Sequence, residues 1–164
     1  MNNSKTISEI DHIIKDLTSM LRPEEEEQDI KIKNAVIVAH NAIEGFLNLF
    51  LINYYFGGKI PIDDAKSNHF YINILGELDF VKKLKMLEKT ESVNQKEIKA
   101  FHRINDIRND LAHYPHRVFK RKGKHLMYLG KHIFKDIEAL ELFRKDCFMI
   151  LDRAREIFKS QKLN

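Results

Sequence analysis

The sequence predicts an all-α fold, an up-and-down bundle of about five helices with a short basic β-hairpin between helices four and five. Two observations point to helices: only 3 Pro and 6 Gly interrupt 164 residues, and apolar side chains recur at three- and four-residue spacing along most of the chain. A third sets the hairpin: "RVFKRKGKHLMYLG", residues 117–130, drops that period for basic and strand-forming residues around Gly123, the expected turn. The length suits a single domain spanning residues 1–164, with enough chain to bury a core.

Helix one is expected from Thr6 to about Leu21. Thr6 and Glu9 have capping-box spacing, and Ile7, Ile10, Ile14, Leu17 and Leu21 share a face. "RPEEEEQD" follows as a hinge whose acidic run sits at the start of helix two, where it complements the helix dipole. Helix two spans roughly 29–55 and ends at "FGGKIP", a turn with no phosphate-loop spacing. Helix three begins after "GELD", with Phe80, Val81, Leu84 and Leu87 as its stripe. Helix four runs from about Asn94 to Leu111. Helix five, about Asp136 to Ser160, carries Ile137, Leu140, Phe143, Cys147, Ile150, Leu151, Ala154 and Phe158 as core or dimer interface.

Composition narrows the functional classes. A net charge of +4 leans weakly toward polyanionic partners. The lone Cys147 permits no internal disulfide, and "MNNSKTISEIDH" lacks the basic-then-apolar order of a signal peptide, so a cytoplasmic protein is expected. The most apolar stretch, 35–56, holds His40, Asn41, Glu44, Asn48 and Asn53, which favours a buried helix over a membrane span. His12, His69 and His132 are scattered with no ligand spacing, so no metal is expected. Neither a nucleotide loop nor a Ser-His-Asp set is readable, so no cofactor is expected either.

The chemistry concentrates in "RINDIRNDLAHYP", residues 103–115. At about 100° per residue, Phe101, Ile104, Ile107 and Leu111 form a buried stripe about 120° wide. His102, Asn105, Asp106, Asn109 and His113 form a second sector with no lysine, which suits an enclosed polar site better than a solvated face. Arg108 emerges at the edge of the stripe, about 140° from His113. Pro115 disfavours helix at Tyr114, so the helix frays near His113, and the helix C-terminus favours a protonated imidazole there. A cationic fork and a histidine that titrates near neutrality are what metal-free RNA cleavage needs. On helix two, Glu44 lies in a polar strip with His40, Asn41 and Asn48, with Arg108 or Arg103 as its expected partner. After the motif, Arg117, Lys120, Arg121, Lys122 and Lys124, with His116 and His125, make an electrostatic footprint for phosphates. Phe119 and Tyr128 are candidate base-stacking platforms.

"ELDFVKKLKMLEK" and "FHRINDIRNDLAH", within residues 77–113, resemble the signature segment of the HEPN superfamily of helical bundles, which carry an Arg-x4–6-His motif. Here the motif is Arg108, Asn109 and His113, ending the fourth of five helices. The resemblance implies a metal-independent endoribonuclease of toxin or phage-defence type, with two motifs paired across a homodimer. His113 would handle protons at the ribose 2′-OH or the leaving oxygen, Arg108 would stabilise phosphate charge and Asn109 would orient it. The products would be a 2′,3′-cyclic phosphate and a 5′-hydroxyl. Glu44, His102, Asn105 and Tyr114 would support the site, and an antitoxin or regulatory protein is a further implied partner. One superfamily group is paired with a nucleotidyltransferase antitoxin and has a tyrosine two positions after the histidine; here Tyr114 follows it directly. The superfamily also implies an alternative, a non-catalytic module that binds RNA, nucleotide or protein.

Overall fold

The computed structural model describes residues 8, 11–16, 28–55, 71–113 and 126–160. Within them the chain is helical apart from one small antiparallel hairpin. We number the helices α1 (residues 11–16), α2 (Gln28–Tyr55), α3 (Phe80–Glu88), α4 (Gln95–Ala112) and α5 (Ile137–Ser160). The strands are β1 (Met127–Tyr128) and β2 (Lys131–His132), and a π turn at Tyr71–Leu75 precedes α3. The expected Thr6–Glu9 cap, the run at 24–27 and the turn at 56–61 lie outside the described residues.

The α2 helix is the centre of the bundle and packs on α3, α4 and α5. It is apolar nearly all round, and Ile32, Ala35, Val36, Ala39, Ile43, Leu47 and Leu51 are buried. By length and composition it could cross a membrane, but 61% of its most apolar window is buried inside the fold. That burial is the physical use of the sequence's most hydrophobic stretch.

Short local signals start the later helices. The Asp79 carboxylate accepts the Lys82 N–H at 2.8 Å and caps α3. Asn94 accepts from the N–H groups of Lys96 and Glu97, while Glu97 accepts the Asn94 N–H at 2.7 Å, a complete capping box at the start of α4. The α4 stripe is as expected: Phe101, Ile104, Ile107 and Leu111 are all buried. The α5 stripe holds from Leu140 to Phe158, but Ile137 is 55% exposed.

A hairpin does lie between the fourth and fifth helices, but its turn is not at Gly123. Met127 pairs with His132 and Tyr128 with Lys131, leaving Leu129 and Gly130 as a two-residue turn. Both have left-handed φ, 50° and 85°, the sign that a type I′ hairpin turn requires. Gly130 supplies that conformation without strain; Gly123 is outside the described residues.

Candidate functional site

The α4 helix ends at His113, whose backbone N–H donates to the Asn109 carbonyl at 3.2 Å. This cap leaves the His113 side chain exposed. One turn earlier the Arg108 guanidinium donates from Nη1 to Asn109 Oδ1 at 3.1 Å. A guanidinium has five N–H donors, and among the described residues the half-buried Arg108 makes this one side-chain hydrogen bond. Arg108 and His113 are not hydrogen-bonded to each other within the chain.

The polar sector of α4 does not form one enclosed site. Asn105 is buried against α2, whereas Asp106 and His113 are exposed and His102 and Asn109 are half-buried. The sector is wide enough for its two edges to meet different environments, with helix packing on one side and open surface on the other.

Asn105 meets His40 of α2, whose Nε2 lies 3.3 Å from Asn105 Oδ1. The imidazole is only 3% exposed and rests against the Phe80 ring of α3, with centroids 4.8 Å apart. Burial holds its pKa below the usual histidine value. The Asn105 hydrogen bond and the Glu44 charge oppose that shift, and the Arg108 charge adds to it.

Glu44 is not paired with Arg108 or Arg103. Its Oε1 takes the Lys83 ammonium of α3 at 2.6 Å, and its Oε2 lies 4.0 Å from His40 Nδ1. The reason is placement: Lys83 shares the inward face of α3 with Phe80, Leu84 and Leu87 and is 3% exposed, so it needs a buried counter-charge. Arg103 is occupied elsewhere, on Asp146 of α5 at 2.7 Å. Sequence reasoning missed Lys83, although its position four residues before Leu87 and three after Phe80 signals a lysine at a core site.

The hairpin corrects a second expectation. Tyr128 is 1% exposed, its hydroxyl donates to Asp146 Oδ2 at 2.6 Å, and its ring meets Phe143 edge-on. It is a core residue and offers no face for base stacking. The start of the hairpin is tied to the motif helix: the Leu126 N–H donates to Asp110 Oδ2 at 3.2 Å, three residues before His113. Tyr114, Arg117, Phe119, Lys120, Arg121, Lys122 and Lys124 lie outside the described residues. Among the described residues no group of three or more His, Cys, Asp or Glu is gathered as a metal site.

An apolar cavity of about 30 Å³ lies at a different place, between α2, α4 and α5, and is lined by Phe46, Phe50, Phe101, Ile150 and Phe158. Comparison with known proteins finds no matching family model, no matching curated protein and no matching solved structure.

Proposed function

We propose that the chain is a metal-independent endoribonuclease of the HEPN type, working as a homodimer in the cytoplasm in a toxin or phage-defence setting. The observation that carries this reading is the end of α4. There, a guanidinium held by Asn109 on one nitrogen makes no other hydrogen bond among the described residues, one turn before an exposed, end-of-helix histidine. Planar guanidinium donors match two phosphate oxygens, and an exposed imidazole can exchange protons near neutral pH.

In the proposed reaction a His113 imidazole takes the 2′-OH proton and the 2′ oxygen attacks the adjacent phosphorus. The bond from phosphorus to the 5′ oxygen breaks, and the second His113 donates a proton to that leaving oxygen. The products are a 2′,3′-cyclic phosphate and a 5′-hydroxyl. Arg108 offsets the charge gathering on the phosphoryl oxygens, and Asn109 fixes the guanidinium plane. Two chains are needed because one histidine cannot be acid and base in the same step, and because Arg108 and His113 of one chain are not joined. The clamp from Asp110 to Leu126 supports a role for the basic residues between them. Arg117, Lys120, Arg121, Lys122 and Lys124 all fall among the twelve residues of sequence between His113 and Leu126.

The test is cleavage of end-labelled RNA by purified protein in excess EDTA. Wild type is expected to cut and leave cyclic phosphate ends, while Arg108→Ala and His113→Ala, both folded, do not. Mixing the two inactive chains should not restore activity, since the mixed dimer holds one His113 where the step needs a base and an acid. Equal cleavage by wild type and both variants would reject the proposal. The lack of any direct contact between Arg108 and His113 in one chain favours a second reading, a non-catalytic module that binds RNA, nucleotide or a protein such as an antitoxin. Binding of uncut RNA that weakens in Arg108→Ala would select it.

A further inference from the structure

We propose that His40 is a positioning residue for the Arg108–Asn109 pair, acting through its hydrogen bond to Asn105. This rests on the reading of Arg108 and Asn109 as the phosphate-holding pair. Three helices meet at the His40 ring: α2 carries it, α3 covers it with Phe80, and α4 receives its hydrogen bond at Asn105. Asn105 stands three and four residues before Arg108 and Asn109, on the same side of α4. Whatever fixes the depth and rotation of Asn105 against α2 therefore fixes where the guanidinium emerges.

The observation that separates this from plain packing is the other ring nitrogen. With Asn105 Oδ1 as acceptor, His40 Nε2 carries the proton and Nδ1 presents a bare lone pair. That Nδ1 is buried and has no hydrogen-bond partner among the described residues; the Glu44 carboxylate oxygen Oε2, itself an acceptor, lies 4.0 Å away. An unsatisfied buried acceptor destabilises the folded state. A leucine here would fill the space beside Phe80 but would leave the buried Asn105 Oδ1 without its donor.

The charges around the ring fit the same role. Glu44 faces it from α2 and is itself held by Lys83 from α3, and Arg108 acts on it from α4. Glu44 is taken by Lys83, and Arg108 forms no salt bridge with it. The pairing of Glu44 with Lys83 keeps the guanidinium available for phosphate.

Three variants of the full chain test this: His40→Leu, His40→Gln and Asn105→Ala. The measurements are RNA cleavage kinetics in EDTA, thermal unfolding, and the Nε–Hε NMR signal of Arg108. His40→Leu should lose about ten- to hundredfold in kcat with KM changed less than about threefold, as expected when a catalytic group is misplaced while binding survives. His40→Gln can still donate to Asn105 and should recover most of the loss. In His40→Leu and Asn105→Ala the Arg108 signal should shift or broaden, while His40→Gln keeps it near its wild-type position. Wild-type kcat in His40→Leu, or a glutamine no better than leucine, would overturn the inference. Should His40→Leu not fold, Asn105→Ala reports the same linkage from α4, and an unmoved kcat there refutes it. Wild-type protein that does not cut RNA defeats the ribonuclease reading instead. The positioning role is then decided by the Arg108 signal, and one that stays put in Asn105→Ala refutes it.

Discussion

Arg103 on α4 and Asp146 on α5 meet through two guanidinium nitrogens, Nε and Nη2, each 2.7 Å from the same carboxylate oxygen. That oxygen also accepts the Tyr128 hydroxyl at 2.6 Å, so one atom ties two helices and the hairpin together. Asp146 is 7% exposed. Asp146→Ala is expected to cost about 3 kcal/mol, because it strips both partners at once. Tyr128→Phe removes one hydrogen bond and leaves the ion pair, at about 1 kcal/mol. Urea denaturation of the two variants checks the order.

The same phenol predicts the alkaline behaviour. Burial, then the hydrogen bond to Asp146, pushes the Tyr128 pKa far above that of a free tyrosine. Below a pH of about 10, the ordinary tyrosine value, both folded and unfolded forms keep the proton and the contribution is intact. Above it the unfolded chain ionises first, and stability falls as pH rises. Cys147, pushed up by burial and by Asp146, acts in the same direction. Melting temperatures measured between pH 9 and 11 (an interval spanning the value of about 10) should therefore fall less steeply in Tyr128→Phe than in wild type.

His40 sets a matching dependence on the acid side. Its folded pKa lies below the ordinary 6.5, chiefly through burial. Its contribution is full above that value and is lost as pH falls from there through the folded pKa, because the unfolded chain takes up the proton first. His40→Gln should flatten the decline in stability just below 6.5, read from melting curves in a common buffer series. An unchanged slope would mean that another group governs that range.

Lys83 and Glu44 predict an asymmetric mutant cycle. Glu44→Gln leaves the ammonium of Lys83 buried without its counter-charge and should cost about 3 kcal/mol. Removing both charges, as Lys83→Met with Glu44→Gln, should recover most of that loss, since the cost lies in the stranded ion. Chemical denaturation of the two single variants and the double variant closes the cycle.

Two glycines should respond oppositely to alanine. Gly45 lies inside α2, and a Cβ there meets nothing within 4 Å; Gly45→Ala should stabilise by about 0.5–1 kcal/mol through helix propensity. Gly130 also has open space, but its φ of +85° is unfavourable for alanine. Gly130→Ala should destabilise by about 1 kcal/mol. Equilibrium unfolding of both variants tests the signs.

The helices were legible because their signals are local: stripes such as Phe101, Ile104, Ile107 and Leu111 depend only on neighbours along the chain, as do the Asn94–Glu97 box and the Asp79 cap that the structure adds at two helix starts. Partner choice was not, because it depends on which helices face each other. Glu44 could be recognised as needing a cation, but Lys83, 39 residues away, became the partner only once α3 lay against α2. Tyr128 misled for a related reason: aromatic residues near a basic run suit stacking or a core equally, and the Asp146 carboxylate decided it. The turn at Leu129–Gly130 was missed because Gly123, amid basic residues, carried the stronger turn signal in the sequence.

The bond from the Leu126 N–H to the Asp110 carboxylate closes the chain on itself. Residues 126–160 remain anchored to α4 through the Asp146 junction and the packing of α5. A peptide bond cut between residues 114 and 125 would therefore leave two pieces that stay associated.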